Sequence, residues 1–406
     1  MLLRSLITLF FLLLPLGAIA DTYKLLYTAQ IDPDSGMARV EIALDGKSLP
    51  QKLSMNLSSG RYSDVESDQP LELKKDRAIW RPEGPKARLS YKFTINNQKN
   101  SGSYDSRITR DWALLRSDKL IAPMSVTSKG VRSKAELQLE LPEGWSAALP
   151  YPEIGKLRYR LTDPGRRFVR PKGWMIVGKI GSRQDIIAGI DTKVAAPLGQ
   201  DIHRQDTLAF LNWNLPEIEK VFPKFPKHLL IVSAGDPMWR GGLSGTRSLF
   251  MHADRPLISG NRTSSMIHEL VHVGTGIRSG DKQSDWIVEG LAEFYSVEIL
   301  RRSGGISQRR YDETMDKLAE WGREAPSLLV RRSSGPVTAR AAGVMRELDS
   351  EIRKASGGKA SIDDVARGLA EKRGEVTLER FRQLAEEAAG GPVQALTIEN
   401  LDDIDR

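Results

Sequence analysis

The chain has 406 residues, a formal charge of +8 and no cysteine. That length allows two or three domains with ample cores. The lack of cysteine excludes a disulfide framework, a lipid-anchored cysteine and thiolate metal ligands, so any zinc must be held by histidine and carboxylate.

The first 20 residues read as an export signal. Arg4 is a short basic start, an apolar run follows through Leu14, and Ala18-Ile19-Ala20 precedes Asp21 as a small-residue cleavage site. With the small residues that follow through Ala20, the uncharged stretch is roughly 16 residues, shorter than the ~18–20 a membrane span needs. No later stretch is apolar enough to cross a bilayer, so the mature chain is expected to have no transmembrane segment. A disulfide-free exported chain of this size suits the periplasm of a Gram-negative bacterium, with secretion as the alternative.

Residues 21–198 are expected to form a β-sandwich. Apolar residues alternate with polar ones at Ala38, Val40, Ile42 and Leu44, at Ala87, Leu89, Tyr91 and Phe93, and at Ala135, Leu137, Leu139 and Leu141. Turn signals such as Asp32-Pro33-Asp34-Ser35-Gly36 and Pro142-Glu143-Gly144 separate them. Segments 174–177 and 185–190 read as its last strands.

The character changes near Ala195-Ala196-Pro197. A helix is expected over 207–221 in spite of Pro216, and strands over 227–234 and 248–252. Beyond residue 264 the chain is mainly helical, with helices at 264–274, 284–302, 308–322, 338–356, 361–372 and 377–389. Asp363, Asp364 and Glu379 fall in first turns, where the helix dipole favours negative charge. Glu399 to Arg406 read as a frayed end. The fold class is therefore multidomain α+β, with a second domain (199–406) that is mainly α-helical and holds a small sheet.

The sharpest signal is His268-Glu269-Leu270-Val271-His272 inside the first of these helices. Residues i and i+4 share a helix face, so both imidazoles can reach one Zn²⁺. Glu269 lies beside them, placed to act as general base on a zinc-bound water. A catalytic zinc needs a third protein ligand, and Glu289 on the next helix is the candidate. Gly274, Gly276 and Gly280 suit the intervening turn. Glu293, one turn beyond, can orient a ligating histidine. Trp286, Leu291 and Phe294 are expected to pack that helix into the core. His203, His228 and His252 read as ordinary structural histidines. One zinc per chain is expected, with no nucleic-acid partner: basic pairs such as Arg309-Arg310 lack interleaved aromatics. No pattern in the sequence specifies an oligomeric state.

The His-Glu-x-x-His stretch with a downstream Glu resembles the gluzincin peptidases, most of all the glycyl aminopeptidase family M61, relatives of the M1 aminopeptidases. "LPEGWSAALPY" at 141–151, "GGLSGTRSLFMHADRP" at 241–256 and the helical segment 347–390 are similar to further parts of that family. The resemblance implies a thermolysin-like catalytic domain, zinc ligands His268, His272 and Glu289, and base Glu269. It implies a peptide or protein substrate and a substrate-binding strand at Gly241, Gly242 and Ser244. A strand over 247–253 would be the edge on which a peptide lies by β-addition. The stretch from His272 to Glu289 is slightly shorter than in the family, and the chain ends before the PDZ domain that many members add.

Two departures carry chemistry. The family has a glutamate where this chain has Ser244, and serine cannot pair with a substrate ammonium; a strict aminopeptidase is therefore not expected. The family's oxyanion-donor tyrosine aligns near Thr338. Tyr311 and Arg340 are the substitutes available, because Tyr295, six residues after Glu289, faces away from it by helical periodicity. The rival readings are a catalytically weak, zinc-binding pseudo-peptidase serving as an envelope peptide- or protein-binding module, and a non-enzymatic adhesin without stoichiometric metal.

Overall fold

The computed structural model describes residues 21–128, 130–163, 166 and 168–402. The expected signal peptide lies outside the described residues. No helix among them is long and apolar enough to cross a membrane.

The N-terminal half is built on a seven-stranded sheet with Thr22–Asp32, Met37–Asp45 and Lys86–Thr94 near its centre. The alternating residues do what period-two patterning demands: Ala38, Val40, Ile42, Leu44, Leu89, Tyr91, Leu137 and Leu139 are all buried on one face. That face covers a four-stranded sheet (with Lys52–Asn56 and Arg77–Trp80) and a five-stranded sheet (with Trp112–Arg116 and Trp174–Gly178).

The adjacent strands Trp112–Arg116 and Trp174–Gly178 of the five-stranded sheet are buried on both sides, which explains why Trp112-Ala113-Leu114-Leu115 and Trp174-Met175-Ile176-Val177 are apolar without alternation. Ala113, Leu115, Met175 and Val177 face the sandwich core. Trp112, Leu114, Trp174 and Ile176 face a second sheet, meeting Ala195, Leu230, Val232 and Phe250. The two halves of the molecule thus share a continuous apolar layer.

The second sheet runs in the order Ile180–Ile187, Ile190–Pro197, His228–Ala234, Ser248–His252, Gly242–Gly245. Two expectations change here. The segment 185–190, expected in the sandwich, lies in the hairpin that opens this second sheet, so its strands begin well before residue 198. The strand Ser248–His252 is paired on both sides, and the exposed edge is Gly242–Gly245 instead. Alternate residues Leu229, Ile231, Leu249 and Met251 point to the opposite face, into the helical core.

The helices follow the sequence reading closely: Arg204–Val221, Ser265–Thr275, Asp285–Arg302, Gln308–Gly322, Pro336–Ala355, Ile362–Glu371 and Leu378–Ala389. Their ends carry the expected caps. Ser264, Ser307, Ser361 and Thr377 accept from backbone N–H groups of their own first turns, and Ser361 and Asp364 form a capping box. Of the segment expected to fray, 403–406 lie outside the described residues, whereas Leu401 is buried and its carbonyl accepts from the Leu328 N–H at 2.8 Å.

Candidate zinc centre and active-site cleft

Two helices present the motif. The helix Ser265–Thr275 is held against the sheet by Met266, Ile267, Leu270 and Val271, all buried, which turns His268, Glu269 and His272 the other way. It ends at Gly276, whose φ of +58° is the left-handed cap that favours glycine. Gly274 serves packing rather than the turn, since a Cβ there would lie 2.8 Å from the Phe222 ring. The return segment Ile277–Ser279 pairs in parallel with Gly374–Val376, tying the loop to the C-terminal helices. The helix Asp285–Arg302 then buries Trp286, Leu291 and Phe294 and carries Glu289 and Glu293 back to the histidines.

The ligand atoms converge. One nitrogen from each of His268 and His272 and one oxygen from Glu289 lie within 4.8 Å of one another. His268 Nε2 is 3.3 Å and His272 Nε2 3.7 Å from the Glu289 carboxylate. His268 Nδ1 is 3.1 Å from Glu293 Oε2, leaving Nε2 aimed at the common point. Among the described residues this is the one His/Asp/Glu group compact enough to hold a metal ion. His228 is paired with Asp191 at 3.2 Å, His203 is exposed, and His252 is buried beside Asp236.

The electrostatics fit a cation. Burial opposes charge on His268, yet hydrogen bonds to Glu289 and Glu293 and the nearby charge of Glu269 outweigh it and raise its pKa to about 10. Burial and the neighbouring His268 charge push His272 down to about 4. Burial alone would raise Glu289, but its bond to His268 and the charge of both histidines hold it below its usual value. Two imidazoles and a carboxylate, with excess negative charge around them, form a donor set suited to Zn²⁺.

Glu269 stands beside this point. Burial raises its pKa, the His268 charge lowers it, and hydrogen bonding from the Ser244 hydroxyl and backbone lowers it further. Gly242 makes room for it: a Cβ at Gly242 would lie 2.7 Å from Glu269 Cγ. A Cβ at Gly241 would lie 2.4 Å from the Trp239 indole nitrogen. Trp174 donates through Nε1 to the Leu243 carbonyl at 2.8 Å and through its backbone N–H to Ser248 Oγ at 2.8 Å, so the N-terminal half fixes the edge strand.

A cleft of about 820 Å³ opens beside His272 and Glu289, lined by the edge strand, the return segment and the C-terminal end of the sandwich. Neither expected oxyanion substitute reaches it. Tyr311 is buried, with the guanidinium groups of Arg301 and Arg346 packed at 5.5 and 5.9 Å from its ring. Arg340 is spent on the Ala325 and Asn400 carbonyls, at 2.7 Å each. Both side chains follow faces of helices that pack on one another away from the cleft. Tyr295 donates to Asp363 at 2.8 Å, in the core as its spacing required. No tyrosine among the described residues lines the cleft. Sequence reasoning missed Arg116, Arg247 and Arg373, which do line it.

No protein-family model and no curated protein sequence matches the chain. Solved structures do. An aminopeptidase N family protein from Idiomarina loihiensis superposes with a TM-score of 0.65 at 15% identity, covering 86% of this chain and 70% of that one. The fold is aminopeptidase N-like. Aminopeptidase A from Legionella pneumophila, in complex with aspartic acid, gives 0.59 at 12% identity, covering 92% of this chain and 49% of that one. Yeast LTA4 hydrolase gives 0.56 at 13% identity, covering 95% and 66%. At these identities the likeness concerns the fold, and this chain spans only part of the length of each of these proteins.

Proposed function

We propose that the protein is a zinc-dependent metallopeptidase of the gluzincin type, M61-like in its finer assignment, exported to the bacterial envelope. The observation that carries this reading is the convergence of His268, His272 and Glu289, with Glu269 next to His268 and with His272 and Glu289 lining a cleft. The aminopeptidase N-like fold supports it.

His268, His272 and Glu289 would hold one zinc, and Glu293 would fix the orientation of His268. Zinc, when bound, supplies Lewis acidity that polarises a peptide carbonyl and acidifies water. Glu269 Oε1 or Oε2 takes the proton from the attacking water and delivers it to the leaving amine nitrogen. Burial raises its pKa above the usual carboxylate value, which makes it a stronger base. Gly242–Gly245 offers an unpaired sheet edge for an extended peptide. Ser244 presents a hydroxyl where an ammonium would need a carboxylate, so cleavage is not confined to a free N-terminus.

The lack of a tyrosine among the described residues that line the cleft, together with Ser244, favours a second reading: a zinc-binding module that holds peptides with little cleavage. Digestion of a diverse peptide mixture by zinc-loaded protein, read by mass spectrometry beside Glu269→Gln, separates the two. Cleavage by the wild type alone supports the peptidase. Stoichiometric zinc without cleavage supports the binding module.

A further inference from the structure

The cleft beside the candidate zinc centre is strongly cationic. Its lining includes Arg116, Arg166, Lys172, Arg247, Arg278 and Arg373, against three carboxylates, one of which is Glu289 itself. Most of these cations are already answered. Asp163 pairs with Arg166 at 3.0 Å and Lys172 at 3.2 Å, Asp118 with Arg116 at 3.0 Å, and Glu375 with Arg278 at 3.1 Å.

Arg247 and Arg373 are different. Among the described residues neither has a carboxylate within 4.0 Å; both are held by neutral oxygens. Arg247 bonds to the carbonyl and hydroxyl of Thr162, at the end of a sandwich strand. Arg373 bonds to the carbonyls of Gly274 at 3.3 Å and Lys224 at 3.4 Å. Both line the cleft, Arg247 from the hairpin after the edge strand and Arg373 from the residue just before the strand paired to the zinc-helix return segment. Burial lowers the Arg373 pKa, and the charge of Arg247 lowers it further, so the two cations repel one another. Arg247 also adopts a φ of +58°, a conformation unfavourable for a non-glycine residue.

We infer that Arg247 and Arg373 form a carboxylate-binding subsite of the same cleft, so that the preferred substrate is a peptide bearing an anionic group beside the bond presented to Glu269. This rests on the peptidase reading for its catalytic form. A carboxylate fits the fork geometry of guanidinium groups and relieves their mutual repulsion. It can come from an Asp or Glu side chain or from a C-terminal carboxylate.

The test uses one cleaved peptide made in four forms: Glu or Gln at the residues flanking the scissile bond, each as free acid or C-terminal amide. In the wild type, kcat/KM is expected to fall about 10–100-fold when the recognised carboxylate is removed, the worth of a charged hydrogen-bonding pair. Loss with Glu→Gln identifies a side-chain carboxylate, and loss with the amide a terminal one. In Arg247→Gln/Arg373→Gln the ratio between acidic and neutral forms is expected to collapse toward one. Arg247→Lys/Arg373→Lys should keep part of it, which separates charge recognition from a packing defect. Equal kcat/KM for all four forms in the wild type overturns the inference and leaves the peptidase intact. If no form is cleaved, the peptidase reading fails, and calorimetric binding of the same peptides to the zinc-loaded protein decides. Preferential binding of acidic forms that is lost in the double Gln variant supports the subsite; binding without charge preference overturns it.

Discussion

Gly242 and Glu269 are built to touch: a Cβ on Gly242 would stand 2.7 Å from Cγ of the Glu269 side chain and 3.0 Å from its Oε1. The contact is closer than side-chain atoms tolerate, and it falls on the middle of the glutamate rather than on its free end. Gly242→Ala should therefore displace the base without touching His268, His272 or Glu289. The expected result is a fall in kcat of about 10²-fold, the scale of losing general-base positioning, with zinc content unchanged by metal analysis.

Glu293 accepts from His268 Nδ1 at 3.1 Å. Glu293→Gln keeps an acceptor but removes the charge that makes His268 a better donor of its other nitrogen to a metal. Zinc affinity is expected to weaken about 10–100-fold, as for other partners of metal-ligating histidines. Competition with a chromophoric chelator measures it, and an unchanged affinity would place Glu293 outside the metal site.

Gly290, next to Glu289, packs against the helix Pro336–Ala355, and a Cβ there would lie 2.7 Å from Ala341 Cβ and 3.2 Å from its backbone carbon. Helix propensity alone would reward Gly290→Ala by about 1 kcal/mol. Overpacking against backbone costs about 1–3 kcal/mol. The clash should win, so denaturant unfolding is expected to show net destabilisation, with a weaker hold on zinc as Glu289 shifts.

A pH dependence follows from Asp363. Burial would raise its pKa, but hydrogen bonds and charge from Arg302, together with the Tyr295 hydroxyl, outweigh burial and hold it below the usual value. A depressed carboxylate contributes stability above its unfolded pKa of about 3.9. That contribution is lost as pH falls through the folded value. Thermal unfolding should thus show an acid limb below about pH 4. Asp363→Asn should flatten that limb and cost about 1–3 kcal/mol at neutral pH, since Arg302 loses its charged partner Asp363 but keeps Glu298 at 2.8 Å. The readout is the melting temperature across pH 2–7 for both proteins.

Much of this site was legible because its signals are local. Ser264 and Gly276 mark the ends of the first motif helix, and the i, i+4 histidines need no tertiary knowledge to share a face. The buried alternation at Val40, Ile42 and Leu44 was equally plain. What escaped depends on contacts distant in sequence. The edge strand Gly242–Gly245 is short and carries glycine at both ends, so it shows no alternation, whereas its apolar neighbour Ser248–His252 drew the edge assignment. The strand Ile180–Ile187 is polar along most of its length because its side chains are exposed. Tyr311 and Arg340 are one-residue guesses that helix packing turned away from the cleft. Arg373 reaches the site only because Gly374–Val376 pairs with Ile277–Ser279, a partnership nearly a hundred residues apart that no local pattern announces.

The central claim is most directly tested by measuring peptide cleavage while metal-free protein is titrated with zinc. Activity is expected to rise with bound zinc and to plateau at one zinc per chain, while Glu269→Gln binds the same zinc and stays inactive. Cleavage that is independent of zinc, or that survives in Glu269→Gln, would contradict the account.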